Sequence, residues 1–133
     1  SVIEINRKAS ELLKKKHKDV KVHCTSIASF QPKDQFDLVI CKGILIHINP
    51  NQLNKVYDKI YNSSKKYILL AEYYSSKPVK IIYRKHKEKL FKRDFAGELL
   101  QRYKKLKLVK YGFSYRKDKY PQDDITWFLI KKN

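Results

Sequence analysis

The chain has 133 residues, 42% of them hydrophobic and 13% aromatic, enough apolar side chain for one globular domain with a real core. With 31 Lys and Arg against 13 Asp and Glu the formal charge is +18, yet no apolar run approaches a membrane span and the first residues lack the basic-then-apolar layout of a secretory signal. A soluble cytoplasmic protein is the expected class, and because lysine is dispersed beside abundant Ile, Tyr and Asn, AT-rich coding bias accounts for the charge better than a phosphate-binding surface.

Residues 2–5 predict a strand, and Asn6 can cap a helix whose apolar stripe is Ala9, Leu12 and Leu13, before the solvated Lys14, Lys15 and Lys16. Residues 20–24 predict a second strand, followed by a polar loop over 25–35. A third strand starts at Phe36. Its Leu38, Val39, Ile40 and Cys41 are apolar without alternation, the pattern of a parallel strand buried on both faces by helices. Asn49 then offers a helix cap, and Pro50 fits the first helical position, where its missing N–H costs nothing. In the helix that follows, Leu53, Val56, Tyr57 and Ile60 form one buried face at i, i+3, i+4 and i+7.

Residues 67–71 predict a further buried strand, ending in Glu72, Tyr73 and Tyr74. The basic stretch 75–92 reads as an irregular excursion, too long for a plain connector and therefore functional. Asp94 begins another helix, with Phe95, Leu99, Leu100 and Tyr103 inward and Gly97 weakening its first turn. Two strands over 106–115 and 125–131 close the chain around a polar loop containing Pro121, Asp123 and Asp124.

Strands alternating with helices and ending in two consecutive strands describe an α/β domain, its sheet mostly parallel with a C-terminal antiparallel pair. There is no internal repeat and no linker, so residues 1–133 form a single domain. Cys24 and Cys41 fall in predicted strands without metal-ligand spacing and are expected as reduced, buried thiols; no metal is expected. Ligands of open α/β sheets bind at the carboxyl ends of the strands, which places Lys42, Gly43, Leu45 and His47 where a site belongs.

The segments CKGILIHINP from Cys41, ILLAEYYSSKPVKIIYRKH from Ile68, LFKRDFAGELL from Leu90 and YPQDDITWFLI from Tyr120, with VIEIN from Val2, cover most of the chain. Together they resemble class I S-adenosylmethionine-dependent methyltransferases and, within them, those associated with pseudaminic acid biosynthesis and related surface-sugar pathways. The resemblance implies a Rossmann-like fold from its second strand onward, truncated at the N-terminus. The family places a first strand and a glycine-rich, cofactor-cradling loop ahead of the strand at Val2, so the chain reads as the remainder of a longer protein. Such a loss should leave the strands beginning at Val2 and Phe36 either rejoined or flanking an open slot. A second departure is Lys85, which stands where the family's segment has glycine.

The cofactor implied is S-adenosyl-L-methionine, and the implied acceptor is a sugar or sugar-derived small molecule, anionic or nucleotide-linked. Methyl transfer is an in-line displacement at a sulfonium methyl, so the protein mainly orients the partners and accepts a proton. By resemblance Glu4 would hold the ribose, Ser26 and Ile27 would touch the adenine, and Lys42, Gly43 and Leu45 would flank the methionine part. A strand-end carboxylate facing water is the plain alternative for Glu4. His47, Glu72 and Tyr73 form the candidate catalytic set: His47 titrates near neutrality and could be a general base, or it could be a packed residue between Ile46 and Ile48. Tyr74, Arg84, His86 and Asp94 form the acceptor set. Arg84, His86, Lys92 and Arg93 make the excursion cationic, which suits carboxylate or phosphate. Capping and turn formation explain Asp94, Asp123 and Asp124 nearly as well. A basic nucleic-acid-binding module and a non-catalytic remnant of the fold are the rival readings, and the oligomeric state is not fixed by sequence.

Overall fold

Each helix begins where a short polar side chain can satisfy an otherwise unpaired backbone amide. In the computed structural model, which describes residues 1–83 and 86–133 with the side chains of 1–81 and 90–133, Asn6 accepts a 3.1 Å bond from the amide of Ala9 and opens α1 (Arg7–Lys16). Asn49 accepts from the amide of Asn51 at 3.0 Å and Pro50 occupies the first turn of α2 (Pro50–Ser63). Asp94 accepts from the amide of Gly97 at 2.8 Å and opens α3 (Phe95–Arg102). The Asp94 carboxylate stands so close that a Cβ on Gly97 would lie 2.3 Å from its Oδ2, so glycine here accommodates the cap it was expected to weaken.

Strand β1 (Val2–Glu4) pairs in parallel with β2 (Val22–Cys24) as a sheet of their own. Strands β3 (Phe36–Lys42) and β4 (Ser64–Glu72) are parallel neighbours, and β4 continues through antiparallel β8 (Ile125–Lys132) to β7 (Leu106–Ser114) at the edge, giving the order β3-β4-β8-β7. No described strand joins β1 to β3, and the two are not rejoined with each other but lie in separate sheets. The excursion after β4 is not irregular. It is an antiparallel hairpin of β5 (Val79–Tyr83) and β6 (His86–Lys92), and β6 packs against the short 3-10 turn Leu45–His47.

The core lies between the four-stranded sheet and the helices α2 and α3. Leu53, Val56, Tyr57 and Ile60 of α2 are all buried, as their spacing predicts, and meet Ile68 and Leu70 of β4, Leu99 of α3 and Ile130 of β8. Leu100 and Tyr103 are half-buried against the same cluster. Two expectations fail. Leu12 is exposed, so the inward side of α1 is Ala9, Ser10 and Leu13. Strand β3 is covered on one face only: Cys41 is buried, but Leu38 and Ile40 are 45% and 61% exposed, because α2 and α3 both lie on the opposite side of the sheet.

Candidate functional site

The carboxyl ends of β3 and β4 are tied together through one buried side chain. Glu72, the last residue of β4, is 3% exposed, and its Oε1 accepts hydrogen bonds from the amides of Ile44 at 2.9 Å and Leu45 at 3.0 Å. The Cys41 thiol donates to the same oxygen at 3.8 Å, while Glu72 Oε2 is buried and meets no donor among the described residues. Burial pushes the Glu72 carboxyl above the usual carboxylate range, outweighing the backbone amides that favour its ionised form. Burial likewise raises the Cys41 thiol, and the neighbouring Glu72 charge adds to the effect.

Between these strand ends the chain turns at Gly43, whose φ of 61° is readily reached only by glycine, and the Gly43 amide donates to the Ala71 carbonyl at 2.9 Å. The Leu45–His47 turn follows at once, with Leu45 and Ile46 buried. This loop is thus anchored by its own side chains below, by β6 alongside and by Glu72 at its head. Lys42, Ile44 and His47 remain at the surface.

That geometry revises three expected roles. Glu72 positions the loop and does not present a carboxylate to an acceptor. Leu45 buries its side chain in the core, so only its backbone could flank a ligand. His47 is exposed and therefore not a packed structural residue. Lys42 is exposed too, its Nζ hydrogen-bonded to Gln122 of the loop before β8.

Glu4 ends β1, and its Oε1 accepts from the Asn6 amide at 2.7 Å, so the carboxylate helps turn the chain into α1. Ser26 bonds locally to Ser29, through both the hydroxyl at 2.9 Å and the amide at 3.1 Å, and Ile27 packs against the core. Cys24 is exposed at the end of β2, contrary to the expectation of two buried thiols; neither cysteine is in a disulfide.

On the acceptor side, Tyr73 is half-buried with the Lys92 ammonium 5.3 Å from its ring centre, and Tyr74 is exposed, its ring 6.0 Å from that of Phe128. Arg93 pairs with Glu98 at 2.7 Å, and the Tyr57 hydroxyl donates to the same carboxylate at 2.8 Å, so Arg93 serves the packing of α3 against α2. Asp94 is the cap of α3, and Asp124 accepts from the Arg116 amide at 3.1 Å. Arg84 lies outside the described residues, as does Lys85. His86 lies on β6 with its backbone opposite Tyr83, its side chain outside the described set. Among the described residues no cluster of His, Cys, Asp or Glu could hold a metal ion, and no helix is long and apolar enough to cross a membrane.

Sequence reasoning missed the bond from Glu72 to the two loop amides and the cleft on the other side of the sheet. That cleft, of about 350 Å³, is lined by Lys42, Leu69, Ala71, Gln122, Ile125 and Trp127 among others. The one available signal was an acid closing an otherwise apolar strand, opposite a glycine-bearing loop.

No family model matches the chain, and no curated protein matches it. Solved structures do. N-methyltransferase NodS from Bradyrhizobium japonicum, in complex with S-adenosyl-L-homocysteine, superposes with a TM-score of 0.73 at 13% identity over 98% of this chain and 65% of that one. The 1,6-didemethyltoxoflavin-N1-methyltransferase of Burkholderia thailandensis gives 0.74 at 12% identity, over 98% of this chain and 60% of that one. An S-adenosylmethionine-dependent methyltransferase from Clostridium acetobutylicum gives 0.71 at 11% identity, over 98% and 74%. The chain thus spans less than two thirds of the length of the first two of these proteins. At such identities the likeness establishes architecture, and the architecture of this chain is the Rossmann-like α/β fold of class I methyltransferases.

Proposed function

We propose that this domain belongs to an S-adenosylmethionine-dependent methyltransferase acting on a small molecule. The observation that carries this reading is the superposition of 98% of the chain on methyltransferases, two of them solved with S-adenosylhomocysteine bound. The residues present fit the cofactor in part. Glu4 at the end of β1 offers a carboxylate of the kind that accepts from ribose hydroxyls, and the pinned Lys42–Gly43–Ile44 backbone at the end of β3 offers a close approach for the methionine part. When bound, the cofactor supplies the activated methyl group. The chain's own residues would orient it, and His47, exposed at the end of that loop, is the residue we assign to take a proton from an acceptor.

The acceptor we favour is a sugar or sugar-derived metabolite of the pseudaminic acid type, anionic or nucleotide-linked. The sequence segments carry that narrower reading, and the exposed Tyr74 at the exit of β4 supports it. Arg84 and His86 are its expected acceptor contacts. The 133-residue chain by itself is expected to bind the cofactor weakly and not to turn over, because the sheet is split between β1 and β3 at the centre of the site.

Calorimetric titration of S-adenosylmethionine into the protein tests the reading. Weak binding, lowered further on the order of tenfold by Glu4→Ala through loss of a charged acceptor, is expected. Absence of any binding would overturn it, and unchanged affinity in Glu4→Ala would remove Glu4 from the site. In an active enzyme, Arg84→Ala and His86→Ala should raise the acceptor KM and leave cofactor affinity unchanged.

A further inference from the structure

The lysines are dispersed over the whole chain, and what distinguishes residues 104–120 is that exposed aromatic rings are interleaved with them. Lys104, Lys105, Lys107, Lys110, Arg116, Lys117 and Lys119 stand there against a single acid, Asp118. Interleaved with them are Tyr111, Phe113, Tyr115 and Tyr120, which are 66%, 60%, 46% and 78% exposed. Aromatic side chains of this size normally bury most of their surface, so four in succession at the surface of one segment call for a reason.

The fold sets three of them in a row. Tyr111 lies opposite Phe128 and Phe113 opposite Thr126 in the β7–β8 ladder, so the two share one face of β7, and Tyr115 continues the alternation just past the strand end. The Tyr111 ring stacks at 6.2 Å on Phe128, and the Phe113 and Tyr115 ring centres are 6.4 Å apart. This strand is the edge of the sheet. Pairing of the edge with a second copy is opposed by the register shift between Leu108 and Lys110 and by the lysines at 107 and 110, the devices that keep sheet edges from joining. The net charge of +18 argues for a polyanion instead, and successive exposed rings at that spacing, on a strand whose Lys107 and Lys110 fall on the opposite face and whose ends carry Lys104, Lys105, Lys117 and Lys119, are what a run of unstacked bases with its phosphates would meet.

We infer that the β7 edge, with Tyr111, Phe113 and Tyr115 as stacking platforms and the lysines at the two ends of the strand, Lys104, Lys105, Lys117 and Lys119, as phosphate partners, binds single-stranded nucleic acid. This activity is independent of methyl transfer and of the cofactor site. Of the seven cations, Arg116 is shared with Asp124, which leaves the lysines to neutralise phosphate.

Fluorescence anisotropy of a labelled octauridylate titrated with the 133-residue chain is the test. Binding should weaken steeply with added salt. It should fall about tenfold in Tyr111→Ala and again in Phe113→Ala, while Lys14→Ala on α1 leaves it unchanged. Because these rings are exposed, the variants should keep the parent's thermal midpoint, and Phe113→Leu, which keeps apolar bulk without the ring, should bind as poorly as Phe113→Ala. Wild-type affinity in the Tyr111→Ala, Phe113→Ala double variant would overturn the inference. So would equal affinity for a blunt RNA duplex of the same length, or competition by uridine monophosphate as effective as by the octamer.

Discussion

The two faces of the four-stranded sheet are built from alternate residues of the same strands, yet they have different fates. On one face Cys41, Ile68, Leu70 and Ile130 are sealed under α2 and α3. On the other, the register sets Ile40 beside Leu69 and Leu129, and Lys42 beside Ala71 and Trp127, and this surface stays open as the cleft that Lys42, Leu69 and Trp127 line. Both faces are apolar. Apolarity therefore identifies which residues can be buried, and the placement of helices decides which ones are.

The largest consequence should appear on the sealed face. Ile68→Ala should lower unfolding free energy by about 2–5 kcal/mol, since Ile68 is fully buried and the removed atoms leave a cavity as well as lost transfer energy. Urea denaturation of the variant measures this. A loss no greater than that of an open-face substitution would break the contrast between the faces.

Glu72 sits at the upper end of the sealed face and tests its electrostatics. Glu72→Ala should cost about 1–3 kcal/mol for each of the two loop amides it leaves unpaired, less whatever water recovers. Glu72→Gln keeps an acceptor oxygen without the charge. Because the folded-state carboxyl is held above its unfolded value, its contribution is fully present below the unfolded pKa and is lost as pH rises through the folded one. The stability of Glu72→Gln relative to the parent should therefore improve as pH rises above the usual carboxylate range, and parallel pH profiles for the two proteins would contradict the buried-carboxylate account.

Smaller again is the cap of α3. Asp94→Ala should cost about 1 kcal/mol, the usual worth of such a cap. Gly97→Ala, which helix propensity alone would make stabilising by about 1 kcal/mol, should give no gain, because the new Cβ displaces the Asp94 carboxylate from the amide it serves. Thermal melting of the two variants compares them directly, and a clear rise in Tm for Gly97→Ala would show that the cap yields without cost.

The smallest effect belongs to the open face. Ile40→Thr should change stability by no more than about 0.5 kcal/mol, since its side chain is mostly in water and threonine keeps the β-branching that suits a strand. A larger loss would mean that this face is covered in solution, and light scattering would then show whether a second copy covers it.

Local rules set the helix starts at Asn6, Asn49 and Asp94, the buried face of α2 and the terminal antiparallel pair, because capping and 3.6-residue periodicity act between neighbours along the chain. The strand ends carrying Glu4 and the Lys42–His47 loop were legible for the same reason. Only the tertiary structure decided that Glu72 serves the loop, since its partners lie more than 25 residues away and no short-range pattern records such a pairing. It also resolved the stretch after β4 into a hairpin, whose pairing depends on contacts across the strands, and left β1 apart from β3. Above all, a run such as Leu38 to Cys41 looks the same whether one face or two are covered, because burial is a property of what packs above a residue and not of the residue itself.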